Sequence, residues 1–147
     1  MLESDIVAHC APTLAGIKTA NMFNYLPDDM EKLHQEIQEE NCKLNSKGVY
    51  VEILRTGEKR ALIYVYRKNR LEADLNRKGA ESILQTCGYE CGETDCCLRK
   101  LQERFFQYEC FPHEVGLFLG YPLDDVAGFI EQKGKNYKCC GIWKVYG

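Results

Sequence analysis

The stretch VYVEILRTGEKRALIYVYR, Val49 to Arg67, decides the fold class. Val49–Arg55 and Arg60–Arg67 are rich in β-branched and aromatic residues, which suit a pleated and half-buried surface. The short TGEK connection between them makes the pair a predicted β-hairpin. NSKG (Asn45–Gly48), just upstream, is a turn sequence leading into it. Most of the chain on either side reads as helix. The exception is GIWKVY (Gly141–Tyr146), which reads as a strand able to join the hairpin.

Working outward, Ala11–Leu26 is predicted as a first helix. Pro12 suits its first turn, where a missing N–H costs nothing, and Leu14, Ile17, Ala20 or Met22, and Tyr25 give a rough apolar stripe before Pro27. A second helix is predicted from Asp28 to about Cys42, capped by Asp28 or Asp29, with Met30, Leu33 and Ile37 as a narrow apolar face. Glu31, Glu36, Glu39 and Glu40 form its solvated acidic side.

Downstream, Leu71 to about Cys87 is helical with an interruption at Gly79. Thr94 or Asp95 then caps a helix carrying Leu98, Leu101, Phe105 and Tyr108. Two tandem helices follow within Glu109–Gly134, opened by Pro112 and Pro122, with Asp124 and Asp125 in the first turn of the second. Blocks of helix around a few strands predict an α+β fold: one compact domain over residues 1–147, its helices packed around a small, mainly antiparallel sheet made of the hairpin and the C-terminal strand.

A chain of 147 residues buries roughly 70% of its unfolded surface, so it needs neither disulfides nor a metal to stay folded. Its 19 basic and 22 acidic residues leave a net charge of −3, and no global field points to nucleic acid. The basic clusters RKNR (Arg67–Arg70) and Arg77–Lys78 are short enough to be solvated helix ends. The acidic start, MLESDIVAHCAP, lacks the pattern of a signal peptide, and the apolar run Val115–Leu123 is too short to cross a bilayer. A cytoplasmic protein with no membrane association is expected. Its nine cysteines are then reduced thiols, most of them small buried hydrophobes.

Four features carry candidate chemistry. In HCAPTLAGIK, Cys10 stands just ahead of the predicted helix, where free N–H groups and the dipole favour a thiolate. Lys18 lies two turns further along and reaches a shared cleft only if the chain bends back. The plainer reading of Cys10 is a buried plug at the helix end. His113 and Glu114 occupy the first turn of another predicted helix, which favours a carboxylate and a neutral imidazole that can act as base or metal ligand. Adjacent helical residues diverge by about 100°, so the two do not share one ion; simple capping is the alternative.

CGYECGETDCC holds Cys87, Cys91, Cys96 and Cys97, a candidate metal set that Cys139 and Cys140 could complete. Its spacing lacks the paired CxxC knuckles of zinc sites, and Cys97 also suits a packing role. Gly116 and Gly120 fall on one face of a predicted helix, where each glycine costs about 1 kcal/mol relative to alanine. Close approach of another backbone, or of a flat ligand, would explain them. No catalytic triad, phosphate loop or dinucleotide fingerprint is present, and the sequence leaves any cofactor unknown.

CAPTLAGIK, IYVYR, FPHEVGLFLGYPLDDVAGFI and GIWKVY together resemble a domain-of-unknown-function family of clostridia and related anaerobic Gram-positive bacteria, over about Cys10 to Tyr146. The resemblance rests on Cys10, Pro12, Lys18, Arg67, His113, Glu114, Gly116, Gly120, Tyr121, Pro122, Asp125 and Trp143. It implies a cytoplasmic protein of this size with no assigned activity, and a helical tail beyond the point where this chain stops. The middle cysteine cluster is not part of the pattern.

Two functions follow as expectations. The first is a thiol-centred site, Cys10 with His113, tuned by Lys18 and Glu114, for nucleophilic, redox or metal-binding chemistry. The second is a non-enzymatic protein-binding or regulatory module, including one used in conflict with a phage, whose acidic second helix meets a basic partner.

Overall fold

The hairpin forms where the sequence places it, as the core of a three-stranded antiparallel sheet. The computed structural model describes residues 2–57, 60–89, 93–107 and 114–121, which fall in two units, Met1–Asn69 and Arg70–Gly147. The first unit runs α1 (Leu2–Leu14), β1 (Ala20–Tyr25), α2 (Met30–Leu44), a 3₁₀ turn (Asn45–Lys47), β2 (Val49–Thr56) and β3 (Ala61–Arg67). Helix α3 (Lys68–Leu75) carries the chain across the boundary, and α4 (Lys78–Thr86), α5 (Thr94–Gln107) and α6 (Val115–Leu119) follow. Among the described residues this is an α+β fold. No helix described is long and apolar enough to cross a membrane.

Strand β3 is central, in the order β1-β3-β2. Its residues Ala61–Tyr66 are all buried, as expected of a strand paired on both edges. On one face Phe23, Tyr25, Val49, Val51, Ile63 and Val65 pack with Leu2, Ile6 and Cys10 of α1 and Leu33 of α2. The outer edge of β2 is closed by a side chain. Asn41 of α2 accepts from the Val51 N–H at 2.8 Å and donates to the Val51 carbonyl at 3.0 Å, so one amide occupies the groups that a further strand would otherwise pair.

The predicted helix over Ala11–Leu26 is replaced by the end of a helix and a strand. Helix α1 has already begun at Leu2, and Pro12 lies inside it beyond a kink at Cys10 (φ −118°, ψ 20°), as a ring without an N–H demands. The chain leaves the helix through Gly16 (φ 81°). Arg67 then holds the exposed helix end, donating from Nε to the Thr13 carbonyl at 2.7 Å and from Nη2 to the Leu14 carbonyl at 2.6 Å. Beyond it, Ala20–Tyr25 pairs in register with Ala61–Tyr66. Pairing with a β-rich neighbour far along the sequence outweighs the weak helical stripe. The third described strand is thus β1. The predicted strand Gly141–Tyr146 lies outside the described residues.

Helix α2 begins as predicted, with Asp29 accepting from the Glu31 N–H at 3.1 Å. The break between α3 and α4 falls at Asn76–Arg77, where Arg77 is extended (φ −64°, ψ 143°), and Gly79 sits in the first turn of α4. Helix α6 is described from Val115, the expected start at Pro112 lying outside the described residues, and Gly120 ends it in a left-handed conformation (φ 84°). The Tyr121 N–H reaches back to the Gly116 carbonyl at 3.0 Å, a C-terminal cap. Gly116 and Gly120 therefore differ in role: one is buried inside the helix, and the other terminates it. The second tandem helix lies outside the described residues.

Candidate functional site

Cys10 stands just ahead of the helical segment that holds Pro12, as expected, but a further helical segment, from Leu2, precedes it. It sits at the kink that joins the two helical segments of α1 (φ −118°, ψ 20°), and its side chain is fully buried against the sheet. Burial pushes its thiol up to about 12, against a smaller opposing pull from the Lys18 charge. Lys18, in the turn after α1, is thus within electrostatic range of Cys10, as the sequence allowed. His9, adjacent in sequence, turns away and stacks on Phe23 with ring centroids 5.0 Å apart. His113 lies outside the described residues.

Glu114 belongs to the second unit and is completely buried at the start of α6. The Tyr89 hydroxyl donates to its Oε2 at 2.9 Å. Arg104 of α5 closes on both oxygens, with Nη2 donating to Oε1 at 3.2 Å and Nε paired to Oε2. Nη1 of the same guanidinium donates to the Cys87 carbonyl at 3.1 Å. Burial, and then the Glu114 charge, raise the Tyr89 phenol well above its usual range. Burial alone would lower the Arg104 pKa, but the carboxylate outweighs it and raises it. This closed network ties the end of α4, α5 and the start of α6 together, with the carboxylate's hydrogen-bonding capacity used internally. Neither Tyr89 nor Arg104 stood out in the sequence, because only the fold brings residues this far apart to one carboxylate.

Of the cysteine set, Cys97 is buried on the apolar face of α5 with Leu98, Leu101 and Phe105. Cys87 and Cys96 are half-buried, and Cys91 lies outside the described residues. Among the described residues no three His, Cys, Asp or Glu side chains gather so as to hold a metal ion.

A cleft of about 470 Å³ opens in the first unit, lined by Asp5, Tyr25, Leu26, Asp28, Lys32 and Glu36. Three elements build it. Helix α1 supplies Asp5 from its first turn, the end of β1 and the loop after it supply Tyr25, Leu26 and Asp28, and α2 supplies Lys32 and Glu36, one helical turn apart. Burial of Leu33 against the sheet fixes the rotation of α2 and turns Lys32 and Glu36 to this side.

Tyr25 is only 8% exposed while Leu26, beside it, is 72% exposed. The Tyr25 hydroxyl has its pKa raised by burial first, then by Glu36, Asp5 and Asp28, so all three carboxylates bear on it. Glu36 also accepts from the Leu2 N–H at 3.1 Å. Sequence reading placed Glu36 on a solvated helix face, Tyr25 in an apolar helical stripe and Asp28 as a candidate cap, and gave none of them, nor Asp5 or Leu26, a part in a site. The signal was absent because these residues meet only through the α1–β1 reversal that the sequence did not reveal.

Residues 6–147 match a protein family described as "Protein of unknown function (DUF3793)". No curated protein and no solved structure gives a significant match.

Proposed function

We propose a role for this chain, which belongs to the DUF3793 family of proteins of unknown function, as a non-enzymatic binding module whose first unit engages a protein partner through the cleft beside Leu26. The observation that carries this reading is the cleft itself, with a large aliphatic side chain exposed at its rim and a phenol and carboxylates within. Exposed apolar surface framed by charge is the usual composition of an interaction site. Thiol chemistry at Cys10 is disfavoured by its burial and by a pKa that leaves little thiolate near neutrality.

The test is site-specific photo-crosslinking in cells with a photoreactive residue at position 26, and at exposed Gln38 as the control. A discrete adduct formed from position 26, and formed again with the purified partner, supports the reading. Equal adduct patterns from both positions, or none from position 26, overturn it.

A further inference from the structure

We infer that the occupant of this cleft is a basic side chain, arginine or lysine, carried by a partner peptide next to an apolar residue that covers Leu26. The inference rests on the cleft being the binding surface and adds the chemistry of what binds there. Three carboxylates and one ammonium line the cleft, which leaves it net negative near neutral pH. Asp5, Asp28 and Lys32 make no ion pair or side-chain hydrogen bond among the described residues. The local ion pairing lies elsewhere on the unit, where Lys43 bridges Glu3 at 2.8 Å and Glu40 at 3.4 Å.

Tyr25 is an independent pointer. The residue is more than nine-tenths buried and lines the cleft, and its hydroxyl, without a hydrogen bond to another described residue, is open to solvent there. A phenol oxygen in a cleft lined by carboxylates can accept from an N–H of an incoming cation, while its ring offers a face to the same charge. The carboxylates come from three separate elements and do not converge as a metal-holding group. Several acceptors around one cleft suit a guanidinium or ammonium with several N–H donors. The exposed side chain of Leu26 (72%) gives an apolar residue of a peptide a surface to cover, whereas a small polyamine carries no such residue.

The test uses the full chain and three fluorescein-labelled peptides of about six residues, alternating leucine with arginine, serine or glutamate, followed by anisotropy. The arginine peptide should bind tightest and weaken as salt rises through the screening range. Asp28→Asn and Asp5→Asn should each weaken it about tenfold, Tyr25→Phe severalfold, and Leu26→Ser severalfold, with unfolding midpoints near that of the parent. Equal binding of the serine peptide, lost in Leu26→Ser but not in Asp28→Asn, would overturn the cationic occupant and leave the binding role standing. Spermidine displacing the arginine peptide with equal or better affinity would overturn the peptide source. No binding of any peptide overturns this inference outright, and the crosslinking at position 26 then decides the binding role by itself.

Discussion

Alkylation of the folded chain with iodoacetamide at pH 8 separates a working thiol from a packed one. With its pKa pushed up to about 12, Cys10 is thiolate in roughly one molecule in ten thousand at pH 8, against about one in ten for a thiol near 9. The thousandfold deficit is partly offset, because a more basic thiolate is intrinsically more nucleophilic. A Brønsted slope of about 0.45 over three units returns a factor of roughly twenty, so charge alone slows the reaction about fiftyfold. Complete burial adds a second factor, since reagent reaches the sulfur only when α1 lifts from the sheet. Exposed Cys42 on α2 is the internal control. Site-resolved mass spectrometry should find Cys42 modified at least fiftyfold faster than Cys10, the two rates converging only in denaturant. If Cys10 reacts within a few-fold of Cys42 in the native protein, the reasoning from burial fails and the thiol site is restored.

Three further outcomes follow. Because the folded Cys10 thiol titrates well above its unfolded value, the stability it contributes is complete below about pH 9 and is lost between about 9 and 12. The loss amounts to about 4 kcal/mol at most; urea titrations across that window should show a shallower alkaline decline in Cys10→Ala. Glu114→Gln leaves the Arg104 guanidinium without its counter-charge and should destabilise the second unit by about 3 kcal/mol, with partial recovery in Glu114→Gln, Arg104→Met; a fully additive loss in urea unfolding would refute the pairing. Asn41→Ala uncovers both backbone groups of Val51 and should cost about 1–2 kcal/mol, with faster hydrogen exchange confined to β2.

The hairpin and the cap of α2 were legible because both are local. Val49–Thr56 and Ala61–Arg67 carry their own strand composition, and Asp29 caps a helix that begins one residue later. β1 was not legible, since ANMFNY contains no run that distinguishes a strand from the end of an amphipathic helix. Its conformation is decided by Ile63 and Val65, some forty residues away. The same gap reached the site. Cys10 does fall at a helix break before Pro12, but the segment beginning at Leu2 and the sheet against it, neither of them legible, make the sulfur a core atom. Glu114 was found as an unusual residue, but its partners Tyr89 and Arg104 were invisible without the packing of α4, α5 and α6.

These placements bear on what a shared sequence pattern records. Cys10 fills the core, Pro12 follows a kink, Arg67 holds the last carbonyls of α1, Glu114 ties three helical segments and Gly120 ends α6. All five are among the positions that the sequence reading expected to carry the family resemblance, and each has a structural role. None of the six residues lining the acidic cleft is among them. A surface that selects a partner can vary while the joints of the fold stay the same. A family member that keeps these joints but lacks Asp5 and Asp28 should therefore fold with a similar unfolding midpoint and fail to bind the arginine peptide. Placing both aspartates into it should restore salt-sensitive binding. Tight binding by such a member without them would show that the cationic partner is recognised elsewhere on the chain.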